Sequence, residues 1–216
     1  GRDILSLLLA GGRNTLLVGI SAEGAGLILG VPFGLVAGFF RGRIDDIIMR
    51  FMDGMLAFPG LLLALLIVAF FGPELQNLIA AIGITMMPMI SRIVRSAVIQ
   101  EREREYVTAA YAVGARNLRL MVRHILPNSF APLIVQISFG IALAILVEAG
   151  LSFLGLGIQP PKSSWGVLLR DGYRFVHTVP TFVTFPGLAI FLTVWSLNVL
   201  GDGLRDPLDP RLRGTR

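Results

Sequence analysis

The sequence predicts an all-α fold, a polytopic transmembrane helix bundle with about five spans. Three observations predict it. Of the 216 residues, 54% are hydrophobic and 15% are charged, whereas a soluble domain carries about 25% charged residues. The apolar residues gather in runs of roughly 20, the length of helix that crosses a hydrocarbon core. The runs also lack the polar stripe that helices of a large soluble core turn to water.

The spans are expected at Thr15–Phe40, Met52–Phe71, Leu75–Val98, Phe130–Leu154 and Phe182–Leu200. The first carries Gly24, Gly26, Gly30, Pro32, Gly34 and Gly38; Pro59 interrupts the second and Pro88 the third. In water such residues argue against helix. In a bundle within lipid, small residues let helices approach closely, and neighbours satisfy backbone groups that proline frees. Residues 1–216 read as one transmembrane domain with a polar loop at about 100–128.

Orientation follows from 18 Arg and the single Lys162. Loops on one side hold Arg41, Arg43, Arg50, Arg92, Arg95, Arg102, Arg104, Arg116, Arg119, Arg123, Arg205, Arg211, Arg213 and Arg216, which is 14 of the 19 basic residues. The other side holds Arg2, Arg13, Lys162, Arg170 and Arg174. Cytoplasmic loops carry the basic excess, so the amino end is expected outside and the carboxyl end in the cytoplasm. This placement beside apolar spans also reads the net charge of +5 as membrane topology rather than nucleic-acid binding. There are no cysteines, which excludes thiol chemistry and leaves the redox compartment open.

The loop Gln100–Asn128, QEREREYVTAAYAVGARNLRLMVRHILPN, is too polar to span and too periodic to be irregular. Tyr106, Ala109, Ala110 and Val113 recur at i, i+3, i+4, i+7, one face of a helix. Gly114 supplies a stop in the left-handed region, and Asn117 is placed to cap a second helix. In that helix Leu118, Met121, Val122 and Ile125 repeat the spacing, with Arg116, Arg119 and Arg123 opposite, until Pro127 closes the unit. Two short amphipathic helices joined at a glycine suit either an interfacial element on anionic lipid or a protein-docking projection.

Here the residues resemble a family. The loop is similar to the EAA signature of binding-protein-dependent importer permeases: E-A-A, three residues, Gly, nine residues, I-x-L-P. Thr108, Ala109 and Ala110 occupy the first positions, Gly114 follows at the family spacing, and Leu126-Pro127 ends the motif. Thr108 stands where the family has Glu, and His124 where it has Ile. GRDILS at the start, AFPGLLLAL around Pro59, REREYV ahead of the signature, LSFLGLGIQPP at Leu151–Pro161 and LGDGLRDPLDPRLR near the end resemble the dipeptide/oligopeptide/nickel permease group, its C-type subunit in particular. Members of that group carry a further amino-terminal span. With Gly1 in place of an initiator Met, the sequence reads as beginning inside a longer gene product or as processed.

The resemblance implies the fold of a type I ABC importer permease in a bacterial or archaeal cytoplasmic (inner) membrane. It implies a second permease subunit in a heterodimer, two cytoplasmic ATPase subunits that hold ATP and magnesium, an extracytoplasmic solute-binding protein, and a di- or oligopeptide, or nickel or another small solute, as cargo. It makes Glu105, Tyr106, Thr108, Ala109, Ala110, Val113, Gly114, Leu126 and Pro127 the ATPase-coupling loop. No cofactor is expected on this chain: the phosphate-binding pattern ending G-K-[S/T] is missing, since Lys162 follows Pro161.

Glu23 and Glu148 fall within predicted spans. A carboxylate there is costly and marks a functional site by default, so both are candidates for the translocation pathway; the alternative is a position near a span end or a pairing with a neighbouring helix. Asp53 is expected at the cytoplasmic interface. His124 and His177 lack metal-ligand spacing, and Ser91, Ser96 and Ser138 lack a nucleophile context, so neither a metal site nor an intramembrane enzyme is expected. A passive channel would need no docking unit. On the outer side, Gly157–Val179 holds a short helix, Ser164–Val176, and Trp165, which suits an interfacial anchor or a contact to an external receptor.

Overall fold

Four of the glycines in the first span fall every fourth residue, and they set the central contact of the fold. In the computed structural model, which describes residues 3–208, helix α1 (Ile4–Phe40) lies against α4 (Leu75–Arg102) along that row. A Cβ built on Gly30 would lie 2.9 Å from the Met87 carbonyl oxygen, one on Gly34 2.5 Å from that of Ser91, and one on Gly38 2.8 Å from that of Arg95. Only glycine permits backbones this close. Ser91 strengthens the seam by donating to the Gly30 carbonyl at 3.0 Å.

The residue numbers along the seam rise together, from Gly26 beside Met86 to Gly38 beside Val98. Helices α1 and α4 are therefore parallel, and the chain must return across the bilayer between them. That return is made by α2 (Gly42–Leu56) and α3 (Gly60–Phe71), which meet at 86° around Pro59. This corrects the continuous span expected over Met52–Phe71. Helix α2 carries Arg43, Asp45, Asp46, Arg50 and Asp53 and is amphipathic, and α3 has only 12 residues. At 1.5 Å per residue it reaches about 18 Å, short of the ~30 Å hydrocarbon core. Asp45 holds Arg95 through two bonds of 2.5 Å, and Asp53 holds Arg92 at 2.6 Å, so α2 is tied to α4 across the bend.

Beyond α4 lie α5 (Glu105–Ala112), then a composite helix made of α6 (Asn117–Arg119), a π-helical stretch Leu120–Ile125 and α7 (Leu126–Asn128). Helix α8 (Phe130–Phe153) runs antiparallel to α1, with Gly19 against Ile145 and Glu23 against Gly140. After the short α9 (Trp165–Tyr173), α10 (Thr181–Leu208) returns antiparallel to α8, with Gly201 against Ser138 and Phe139. Among the described residues four helices are long and apolar enough to cross a membrane, and the bent pair, taken as one span, makes a fifth. Among the described residues the direction alternates at each crossing. The ends of α1 and α4, the 105–128 unit, the start of α8 and the end of α10 thus share one face, the basic one. Arg2, Arg211, Arg213 and Arg216, and the last part of the final family-like stretch, lie outside the described residues.

The first helix begins at Ile4, eleven residues ahead of the expected Thr15; Asp3 caps it by accepting from the Leu5 and Ser6 amides at 3.3 and 3.1 Å. Trp165 is also a correction. It is 8% exposed, its indole donates to the Leu8 carbonyl at 2.9 Å, and Gly12 of α1 leaves room for its ring. It is a core residue joining α9 to α1, not an interfacial anchor.

Candidate functional site

At the basic end, α5 and the composite helix fold back on each other between the end of α4 and the start of α8. Gly114 makes the turn with φ 82°. Its amide donates to the Tyr111 carbonyl at 2.9 Å, and the Ala115 amide donates to Ala110 at 3.0 Å. This 5→2, 6→1 pair is a Schellman closure, which needs a left-handed residue at Gly114. The expected stop is therefore where the sequence places it, whereas the expected Asn117 cap is not made. Arg116 precedes that helix without a side-chain cap, and Asn117 instead accepts from the Tyr111 hydroxyl at 3.2 Å.

The faces of the hairpin differ from the 3.6-residue expectation. In α5, Val107 is buried, with Tyr106 and Ala110 half-buried beside it, while Glu105, Thr108, Ala109 and Val113 are exposed. In the composite helix Leu120, Met121 and Ile125 are buried, and Leu118 and Val122 face out. The buried set therefore centres on Leu120, Met121 and Ile125, within the π-helical stretch Leu120–Ile125. Val113 at 86% and Leu118 at 71% exposure leave an apolar ridge along the open side of the hairpin.

Tyr106 is the hub that fixes the hairpin to the spans. Its hydroxyl lies 3.0 Å from Glu101 Oε2 at the end of α4 and 3.4 Å from the His124 carbonyl, and accepts from Asn128 Nδ2 at 3.4 Å. The Asn128 amide also donates to the His124 carbonyl at 2.7 Å. Burial, and then the Glu101 carboxylate, hold the Tyr106 phenol above its ordinary pKa, so it stays a proton donor. Arg41 sits in the left-handed region at φ 54° between α1 and α2. Its guanidinium donates to the Ile99 carbonyl at 3.2 Å and to Glu103 at 2.6 Å. Leu126 is half-buried and Pro127 exposed.

The two intramembrane carboxylates are separated by the structure. Glu148 is fully buried in a polar knot facing α9. Ser152 Oγ donates to Glu148 Oε1 at 2.6 Å and accepts from the Ile158 amide at 3.3 Å; Ser164 Oγ lies 3.3 Å from Ser152 Oγ and accepts from the Val167 amide at 3.3 Å. Thr15 Oγ1 beside them accepts from the Trp165 amide at 3.1 Å. Glu148 sits at the joint between α1, α8 and α9, with its Oε2 buried and without a hydrogen-bond partner among the described residues.

Glu23 is among the residues lining a cavity of about 790 Å³, open along the side of the bundle between α1, the end of α2, α3, α4 and α8. Leu61, Met89, Phe139 and Leu143 supply much of its apolar wall, and Thr85 and Gln136 add neutral polar groups. The sequence marked Glu23 only by its charge. The surrounding wall, and Gly140 that makes room for the carboxylate, had no local signal because they come from four other helices. Among the described residues no group of three His, Cys, Asp or Glu is placed to hold a metal ion.

A family model for the binding-protein-dependent transport system inner membrane component matches residues 30–214. The chain is 49% identical over 213 residues to the dipeptide transport system permease protein DppC of Alkalihalophilus pseudofirmus, covering 99% of this chain and 70% of that protein. It is 51% identical to DppC of Escherichia coli strain K12, over 99% of this chain and 71% of the relative. The glutathione transport system permease protein GsiD of Pectobacterium atrosepticum is 43% identical over 99% and 71%. Among solved structures, an inward-facing MetNI methionine ABC transporter chain matches with a TM-score of 0.79 at 16% identity, over 97% of this chain and 99% of that one. An amino acid ABC transporter matches at 0.70 and 16% identity, over 95% and 98%. At these identities the structural likeness concerns the fold.

Proposed function

This chain belongs to the family of binding-protein-dependent transport system inner membrane components, and from that premise we propose that it moves di- or oligopeptides as the C-type permease of an ATP-driven importer. It is a multi-pass membrane permease subunit of an ABC importer, not an enzyme of covalent chemistry. The peptide cargo rests on relatives named for dipeptide, di/tripeptide and glutathione transport. A second, related permease would complete the pathway, two ATPase subunits with ATP and magnesium would dock on the basic face, and a receptor would deliver cargo to the α9 face. The basic excess supports a cytoplasmic location for the 105–128 hairpin and the end of α10.

One observation carries the coupling role: the hairpin is held firmly to the spans yet leaves apolar side chains open on its far side. A partner that seats on Ala109, Val113, Leu118 and Val122 would push the hairpin as a body. Glu101, Tyr106 and Asn128 would pass that displacement to the end of α4 and the start of α8 together. Nucleotide state and pathway state are then linked by a coupling free energy, which acts in both directions.

The experiment is co-purification of the ATPase subunits with Ala109→Trp permease, alongside peptide uptake. Bulk added at a packed contact costs about 1–3 kcal/mol, so the variant should lose ATPase recruitment and uptake while reaching the membrane normally. A lipid-facing hairpin would behave oppositely, since aromatic area strengthens interfacial binding. Full recruitment with full uptake would sink the assignment.

A further inference from the structure

Glu23 sits near the middle of α1, between Ile4 and Phe40, and therefore roughly 27 Å along the helix axis from either end. It is 1% exposed, and neither carboxylate oxygen has a hydrogen-bond partner among the described residues. An isolated carboxylate at this depth is expensive, and structures retain one where it faces a cavity or a partner charge. The local fold makes specific room for it: any side chain at Gly140 would collide with the Glu23 carboxylate.

Glu23 is among the residues that line the cavity of about 790 Å³, within the 300–1,000 Å³ range of small-molecule sites, with its carboxylate oxygens buried at the cavity's edge against Gly140. Among the described residues no basic side chain lines that cavity, and its other polar side chains are Gln136 and Thr85. The Thr85 hydroxyl donates to the Ile82 carbonyl at 2.7 Å, so its lone pairs remain as acceptors. An apolar chamber with one uncompensated carboxylate and neutral acceptors is complementary to a small solute with an ammonium group and apolar substituents.

We propose that Glu23 and its chamber form a transient binding site, at mid-membrane depth in the translocation pathway, for the ammonium group of the transported solute. The site deepens the peptide-importer reading and rests on it for the identity of the solute, the amino terminus of a short peptide. The recognition itself requires only an ammonium group. Glu23 holds the charge, and Gln136 and Thr85 meet the polar atoms beside it. The apolar wall accepts side chains of varied shape without selecting one.

The chain has no cysteine, which permits a direct test in the assembled transporter. Thr85→Cys, with Gln136→Cys as a second position should the first disturb α4, is labelled with two thiosulfonate reagents on the same two-carbon arm, one ethylammonium and one ethylsulfonate, each rate taken relative to its rate with a free thiol in solution. With Glu23 present the cationic reagent should react at least tenfold faster. In Glu23→Gln the ratio should fall to near one, and alanyl-alanine should slow labelling only while Glu23 is present. A ratio unaffected by Glu23→Gln overturns the proposal. So does a ratio near one with Glu23 present, as expected if Glu23 keeps a proton or pairs with a basic residue of the second permease subunit. A strong cation preference that alanyl-alanine does not reduce, but a non-peptide primary amine does, upholds the ammonium site and overturns the peptide cargo.

Discussion

Gly24 and Gly34 lie on the same helix, α1, and the same substitution should act in opposite directions at the two. A Cβ on Gly24 meets nothing within 4 Å. Gly24→Ala there removes only the conformational cost of glycine in a helix, a gain of roughly 0.5–1 kcal/mol. A Cβ on Gly34 would lie 2.5 Å from the Ser91 carbonyl oxygen and 2.7 Å from Val94 Cβ. The obstacle is backbone, which cannot rotate aside, so α1 and α4 must separate and the close contacts at Gly30 and Gly38 open with it. Overpacking costs about 1–3 kcal/mol at one site. Because the strain spreads along a seam, the upper part of that range applies, and the helix-propensity gain offsets only a third of it. Net destabilisation of about 2 kcal/mol is expected for Gly34→Ala against a small gain for Gly24→Ala. Purified permease in one detergent, heated in steps and assayed by size-exclusion fluorescence, reports the difference as melting temperatures of opposite shift. Equal melting temperatures for the two variants would refute the account of the glycine seam.

Three further outcomes follow from the contacts. Gly114→Val should abolish uptake in a complementation assay while leaving membrane levels normal. Nothing lies within 4 Å of the added Cβ and the conflict is the φ of 82° alone, which a β-branched residue rarely adopts; wild-type uptake would count against a rigid hairpin. Ser152→Ala removes the donor to Glu148 and the acceptor for the Ile158 amide, and each buried polar group left unpaired costs about 1–3 kcal/mol; limited proteolysis after Arg170 or Arg174 should accelerate, and an unchanged cleavage rate would show that the knot does not hold α9. Single cysteines at Gln76 and Arg116 should separate in intact cells, with an impermeant thiol reagent labelling the first only; labelling of Arg116→Cys alone would reverse the orientation.

The fold was legible where composition and covalent geometry decide it. The length of the apolar runs set the number of crossings, and Gly114 announced its own left-handed turn, seen at φ 82°. The break at Pro59 was visible as a proline but not as an 86° bend, because a run of apolar residues says nothing of direction. What fixes the bend is the parallel seam of α1 and α4, together with the Asp45–Arg95 and Asp53–Arg92 pairs, and these are tertiary facts. Trp165 misled for a related reason. An indole beside prolines and a polar loop suits a membrane interface, but Gly12, on a helix at the other end of the chain, leaves space for its ring.

The two sites show the same division in sharper form. A strict 3.6-residue period put Leu118 and Val122 with Met121 and Ile125 on one face. The face that packs inward is instead centred on Leu120, Met121 and Ile125, with Leu118 and Val122 on the open side. Ala109 and Ala110, equivalent in the sequence pattern, are likewise divided, Ala109 exposed and Ala110 half-buried against the hairpin's own core. Substituting Ala110 would therefore disturb the chain itself, and Ala109 is the position that reports on a partner. Glu23 and Glu148 were equivalent too, each a carboxylate in an apolar run. Their surroundings separate them: Ser152 gives Glu148 a donor within its own helix, four residues on, while Glu23 meets a glycine and a chamber. A serine one turn after an intramembrane carboxylate offers it a local partner. A carboxylate with Leu27 at that position, flanked by Ala22 and Gly24, must find its partner on another helix, in a second subunit or in a passing solute.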